Sequence, residues 1–269
     1  MRFLAGHPAA QLGDALVIAD LHLGIEFELR KRGVRAEPQP RRLADLVNAL
    51  VHEADARELL ILGDAKHDVH GLWERERRAF LEFLAHLDAD RLTVVKGNHD
   101  GHLQSLPGKF QGKEFSLEPP DGILREEGGK RYLLFHGHAW PSKELLARAD
   151  VLLMGHSHPL VEFRDRLGAV HRERAWILGE SKGHAESGVR AGTRYVILPA
   201  FNPLSGGYAF NRSPAPPPEE WNGPLLAGGL LNLEEAEARL LTGASLGRLG
   251  ALRRFTAGKQ SKRFKASRE

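Results

Sequence analysis

Five short apolar runs, each followed at once by carboxylate, amide or imidazole side chains, constrain this chain more than any other feature of its sequence. Ala15-Leu16-Val17-Ile18-Ala19 delivers Asp20-Leu21-His22-Leu23-Gly24, and Leu59-Leu60-Ile61-Leu62 delivers Gly63-Asp64. Arg91-Leu92-Thr93-Val94-Val95 delivers Lys96-Gly97-Asn98-His99-Asp100, Tyr132-Leu133-Leu134-Phe135 delivers His136-Gly137-His138, and Val151-Leu152-Leu153-Met154 delivers Gly155-His156-Ser157-His158. Unbroken apolar runs of this length read as strands buried on both faces. Helical spacing separates the early ones, first through Leu43, Leu46, Val47, Leu50 and Val51, then through Phe80, Leu81, Phe83, Leu84 and Leu87. The front of the chain therefore reads as βαβ units, and from about Lys113 onward the pattern becomes strand-rich. A helix is expected from Ser142 to Ala149, and later strands at Val161-Glu162-Phe163, Trp176-Ile177-Leu178 and Tyr195-Val196-Ile197-Leu198.

Within 269 residues, 42% of them hydrophobic, there is material for one large core with an appendage. The boundaries read as a main domain over 1–213, a Pro-rich linker and a segment packing back on the domain over 214–246, and a basic tail over 247–269. The linker is marked by Pro214-Ala215-Pro216-Pro217-Pro218, too stiff for a helix or a central strand. The last 23 residues carry eight Lys or Arg and one acid; removing them from the chain's 38 bases and 35 acids leaves 30 and 34, a body of net charge −4. A basic tail on an acidic body is either a solvated end or a means of holding a polyanion such as nucleic acid. There is no cysteine, so disulfides, thiolate nucleophiles and cysteine-based zinc or iron–sulfur sites are excluded. No run approaches the roughly 20 apolar residues needed to span a bilayer, and the first residues lack the apolar core of a signal peptide. The expected location is cytoplasmic, without membrane contact.

The polar turns carry the chemistry. In extended chain, residues two apart point the same way, so Asp20 and His22 can converge on one ion while Leu21 faces away. Each turn taken alone also suits a hydrogen-bonded loop, since Gly, Asn and Asp favour turns. Five strand ends aligned along one edge instead gather oxygen and nitrogen donors from Asp20, His22, Asp64, Asn98, His99, His136, His156 and His158. A mixed oxygen and nitrogen set without sulfur suits manganese, iron or zinc, whereas magnesium and calcium prefer oxygen.

The ordered set Asp-x-His, Gly-Asp, Gly-Asn-His-Asp, His and Gly-His-x-His resembles the calcineurin-like metallophosphoesterase superfamily, over about residues 15 to 160. That resemblance implies an α/β fold, a two-sheet β-sandwich flanked by helices. It implies two divalent metal ions, manganese foremost with iron or zinc as alternatives. Asp20, His22 and His158 would hold one ion, Asn98, His136 and His156 the other, and Asp64 would bridge them. His99 falls outside the implied ligand set and is expected to act on the phosphoryl group or the leaving oxygen, with Asp100 orienting its ring.

Gly-Asp-x-x-His, ending at His67, is similar to SbcD-type repair nucleases, where a histidine there supports phosphodiester cleavage; a surface histidine in a loop is the other reading of His67. The context of Asp20-Leu21-His22-Leu23-Gly24, His136-Gly137-His138 and the basic tail resembles the DNA-ligase-associated (PdeM-type) branch. The expected activity is dinuclear metal-dependent phosphodiester hydrolysis, as a DNA nuclease with DNA-repair proteins as partners. A small-molecule phosphatase or a cyclic-nucleotide phosphodiesterase is the alternative, and the acidic body favours it. Lys66 is expected either to contact phosphate or to be solvated. His138 fits a place behind the ligands, facing substrate or in the framework, and Asn202 reads as a turn residue.

Overall fold

The computed structural model describes residues 1–217 and 220–256. The 257–269 portion of the expected basic tail lies outside the described residues. The first sheet comprises β1 (Arg2–Phe3), β2 (Ala10–Leu12), β3 (Ala15–Ile18), β4 (Glu58–Ile61), β5 (Arg91–Val95), β6 (Lys109–Phe110) and β7 (Lys113–Glu118). Its spatial order is β1-β2-β3-β4-β5-β7-β6, with β3, β4, β5 and β7 parallel. Helix α1 (Ile25–Lys31) and α2 (Pro40–Ala54) connect β3 to β4, and α3 (Glu74–His86) connects β4 to β5.

The second sheet comprises β8 (Ile123–Glu127), β9 (Lys130–Phe135), β10 (Val151–Met154), β11 (Pro159–Arg164), β12 (Val170–Glu180), β13 (Arg194–Ile197) and β14 (Tyr208–Ala209). β15 (Glu237–Leu240) and β16 (Ser245–Arg248) extend it, β15 pairing with Ala175 to Leu178 of β12. Its centre, β9-β10-β13, is parallel.

Strand alternation explains the layering. In β3 and β4, Leu16, Ile18, Leu59 and Ile61 face the helices α2 and α3, while Val17 and Leu60, with Ala19 and Leu62 just beyond, face the other sheet. In β9, β10 and β13, Leu134, Leu153 and Val196 fill the same central layer. Leu133, Leu152 and Ile197 point outward against α4 (Lys143–Arg148), α5 (Pro224–Ala227) and α6 (Leu249–Leu252). Both faces of each central strand are thus buried, which is why these strands read as unbroken apolar runs. The result is a mixed α/β fold of two multi-stranded sheets flanked by helices.

Helix starts follow their sequence cues. Pro40 opens α2 at the first helical position, where its missing N–H and fixed φ cost nothing. The Oγ of Ser142 accepts from the backbone N–H of Leu145 at 3.4 Å and caps α4. The segment 236–241, whose apolar spacing suits helix and strand equally, contains β15 with Ala238 buried.

The parallel strands of both sheets end at one edge. There the polar turns are tied together by backbone bonds: Asp20 N–H to Gly63 C=O at 3.1 Å, His22 N–H to Asp64 C=O at 2.8 Å, and Gly155 N–H to His136 C=O at 3.0 Å. Phe201 N–H donates to Ala19 C=O at 2.8 Å and joins the second sheet to the first.

Candidate metal centre

Asp20, His22, Asp64, His156 and His158 all have positive φ, between 40° and 68°. Residues with a β-carbon avoid this region, and its cost is met where surrounding structure forces it, as at functional sites. Here the turns bend sharply at strand ends and swing the side chains inward. Glycine is required at one neighbouring point, since a β-carbon on Gly97 would overlap the carboxylate and the backbone nitrogen of Asp64.

Three groups of converging donors result: two triads that include a carboxylate, and an all-histidine group of His22, His67 and His99 that shares His22 with the first. Asp20, His22 and His158 present ligand atoms within 4.8 Å of one another, and so do Asp64, His136 and His156. In the first, Asp20 Oδ1 is 3.1 Å from His158 Nε2, and His22 Nε2 is 3.4 Å from His158 Nε2. In the second, His136 Nε2 is 3.3 Å from Asp64 Oδ2 and 3.1 Å from His156 Nδ1. Asn98 Oδ1 joins at 3.2 Å from His136 Nε2. Asp64 Oδ2 lies between the triads, 3.8 Å from His22 Nε2.

The donor chemistry fits divalent cations. Ring nitrogens that face each other at this range cannot both direct lone pairs inward without a proton or a cation between them. His136 is oriented for ligation, because its Nδ1 donates to the Leu62 carbonyl at 2.8 Å and frees Nε2 toward Asp64.

Charge follows the same geometry. Burial opposes ionisation of Asp20, but His158 and His136 outweigh it and hold the carboxyl below its usual range. Burial likewise works against Asp64, and His136, His22 and His99 together carry it far below that range. Burial would lower His136, yet Asp64 and Asp20 reverse this and raise it to about 9. Burial takes His22 down to about 3 despite the two carboxylates, and burial with His136 beside it takes His156 to about 4. His22 and His156 are therefore unprotonated donors at neutral pH.

Around the triads stand the other expected residues. His99 Nε2 is 3.8 Å from Asp64 Oδ2, its ring edge-on to His22 with centroids 4.9 Å apart. His67 lies against both, its Nδ1 3.3 Å from His22 Nδ1 and its ring stacked on His99 at 5.5 Å. His138 packs beside His136, with ring centroids 5.2 Å apart and a buried Nδ1 that has no hydrogen-bond partner among the described residues. Burial, with His136 next to it, lowers His138 to about 4.

Asp100 does not orient the His99 ring. Its fully buried carboxylate accepts backbone N–H groups of Gly97 at 2.7 Å, Asp64 at 2.8 Å, Ala65 at 2.9 Å and Lys66 at 3.4 Å. The His99 ring is held by the His67 carbonyl, which accepts from Nδ1. An acid three residues after Gly97 closes back on that turn's own amides, which a side chain reaching past the ring cannot do. Lys66 is neither solvated nor directed at phosphate: it is fully buried, and its Nζ donates to the Asp68 carbonyl.

Asn202 is more than a turn residue. It is 2% exposed, its Nδ2 donates to the Leu21 carbonyl at 3.0 Å, and its N–H donates to the Asp20 carbonyl at 3.3 Å. It holds the Asp20–His22 turn from the opposite sheet. The one sequence signal was its position after the strand Tyr195 to Leu198, at the same kind of strand end as the ligands.

Comparison with known proteins agrees with this architecture. Residues 14–212 match the family model for calcineurin-like phosphoesterases. Among solved structures, the chain is similar to a Pseudomonas putida nuclease, MPE, with 18% identity, 85% of each chain covered and a TM-score of 0.50. It is also similar to a protein of unknown function from Aquifex aeolicus (22% identity, 57% of this chain and 81% of that one, TM-score 0.34). Zinc-complexed Vps29 from Entamoeba histolytica matches with 19% identity, over 72% of this chain and 77% of that one, at a TM-score of 0.32. No curated protein sequence matches the chain.

Proposed function

The chain belongs to the calcineurin-like phosphoesterase family of metal-dependent hydrolases, and from that premise we propose that it hydrolyses phosphodiesters at a dinuclear centre, with DNA as substrate. The observation that carries the reading is the position of Asp64 Oδ2 between the two donor triads, with His99 beside it. Asp20, His22 and His158 would hold one ion, Asn98, His136 and His156 the other, and Asp64 both. Manganese suits this oxygen and nitrogen set, with iron and zinc as alternatives. Bound there, a cation pair supplies Lewis acidity to phosphoryl oxygens and acidifies water for in-line attack.

The protein's own groups do the rest. His99 is one-fifth exposed, so it reaches substrate while its Nδ1 is fixed by the His67 carbonyl. With Nδ1–H held, Nε2 as imidazolium donates its proton to the departing alkoxide or stabilises phosphoryl charge. Asp100 keeps the Gly97 and Asp64 turns in register, and His67 braces both His22 and His99. A diester reading is supported by His67, whose Gly-Asp-x-x-His context is similar to repair nucleases of the SbcD type. The overall motif context resembles the DNA-ligase-associated branch, which favours DNA-repair proteins as partners. The similar fold of the Pseudomonas putida nuclease is compatible with this.

The test is to load chelated protein with Mn²⁺ and offer single-stranded DNA, plasmid DNA and bis-p-nitrophenyl phosphate. Cleavage of DNA is expected. Turnover of the small diester alone would replace DNA by a small phosphate ester, and turnover of neither by fully loaded protein would overturn the catalytic reading.

A further inference from the structure

A trough leads away from the metal centre between α1 and the start of α3. It begins in a cavity of about 490 Å³ with His67 and His99 at one end and Lys31 and Arg75 along its sides. A shallower hollow of about 560 Å³ shares Lys31 and Arg75 and adds Trp73. A third, of about 690 Å³, continues past Arg75 to Arg42 and Arg78. The three meet at Arg75.

Most of its acids are engaged by partners, whereas three of its bases are not. Glu28 is paired with Arg32 at 2.8 Å, Glu82 with Arg41 at 2.7 Å, and Glu74 with Arg78 at 3.0 Å. Glu76 is buried and accepts from the Asp68 N–H at 3.1 Å, turned away from solvent. Among the described residues Lys31, Arg42 and Arg75 make no ion pair; against these three exposed cations stands Asp68, half-buried beside Lys31, whose Oδ1 accepts the His70 N–H at 2.8 Å. Arg75 is held in place, its guanidinium 4.9 Å above the Phe27 ring.

The trough also offers an aromatic surface. Trp73 is 56% exposed at the N-terminal end of α3, and its indole lies over Gly71, where a β-carbon would touch the ring at 3.5 Å. A large exposed indole beside unpaired cations, opening onto the catalytic histidines, matches the pairing of stacking platform and electrostatic groove used for unpaired bases and their phosphates. Bases within a duplex have no free face to offer.

We propose that this trough holds a single-stranded polynucleotide segment next to the scissile phosphate, with its phosphates against Lys31, Arg75 and Arg42 and an unpaired base on the indole of Trp73. The proposal rests on the phosphodiesterase reading for its orientation toward His99, and it narrows the substrate to nucleic acid with a single-stranded stretch.

The test is fluorescence anisotropy with labelled oligothymidylate of about 12 nucleotides on the full-length chain, with chelator present to stop cleavage. Trp73→Ala should weaken binding about tenfold and Trp73→Phe should restore most of it. The double variant Lys31→Glu/Arg75→Glu should weaken binding by more than about tenfold and flatten the salt dependence, by roughly 0.7 in logarithmic slope for each phosphate no longer neutralised. Lys130→Glu, the same charge reversal made once at the start of β9, away from the metal centre, should stay within about twofold of wild type.

Trough variants that bind as wild type does would overturn the proposal, as would a duplex that binds equally tightly and ignores Trp73→Ala. DNA cleavage by the loaded wild type is scored separately. Binding through the trough without cleavage sinks the nuclease reading alone, and cleavage with unaffected trough variants sinks the trough alone.

Discussion

The carboxylate of Asp100 accepts the backbone N–H of Asp64 at 2.8 Å, across 36 residues of sequence, and so fixes the turn that aims the central carboxylate of the metal centre. Three further amides converge on the same group. Asp100→Ala leaves four buried donors unpaired and should destabilise the protein by about 3 kcal/mol or more, while Asp100→Asn should cost less because one carbonyl oxygen remains. Urea unfolding measures the loss, and metal analysis of the folded fraction should show depleted Mn²⁺.

His99→Ala separates catalysis from metal binding. The side chain lies outside the two triads that include a carboxylate and groups only with the imidazoles of His22 and His67, so the variant should retain its full metal content and lose about 10²–10⁴-fold in turnover of a diester. Equal loss of metal and activity would place His99 among the ligands instead.

His136 makes metal uptake dependent on pH. Without a cation its imidazole, raised to about 9 by Asp64 and Asp20, carries a proton throughout the neutral range. A cation at Nε2 must displace that proton, so apparent affinity should rise up to about tenfold per pH unit and level off above pH 9. In chelated protein, the stability contributed by the charged ring is fully present below pH 6.5 and lost as pH rises through about 9. Calorimetry in buffers of different ionisation enthalpy should count about one proton released at pH 7.

Asn202→Ala tests whether the second sheet holds the first ligand turn. Loss of its bonds to the Leu21 carbonyl and from the Leu204 N–H at 3.0 Å should cost about 1–3 kcal/mol. Because the Asp20–His22 turn loses its brace, Mn²⁺ affinity should fall about 10-fold or more. A stability loss with unchanged metal affinity would make Asn202 purely structural.

The central strands and their polar ends were legible because burial on both faces writes an unbroken apolar run, and each run stops within three residues of Asp20, Asp64, Asn98, His136 or His156. The left-handed turns at Asp20 and His158 left no such mark, since their backbone conformation is imposed by neighbours in other strands. Asp100 looked like a partner for the adjacent ring because adjacency was all the sequence offered; its true partners include amides 34 to 36 residues earlier. Lys66 read as solvated or free to contact phosphate for the same reason, as its burial depends on the loop folding over it. The contact between His67 and His22 joins the loop after one strand to the turn after another, a meeting set by the parallel order of β3 and β4.

Pairing of β15 with Ala175 to Leu178 of β12 has a consequence for handling the chain. The family match ends at residue 212, but a protein trimmed there would expose a bare flank of hydrogen-bonding groups along β12 and strip Leu225, Leu249 and Leu252 from the second sheet's outer layer. Such a sticky margin recruits strands from other molecules. The residues after the Pro-rich stretch are in that sense a seam, closing a sheet that the recognisable homologous portion leaves open.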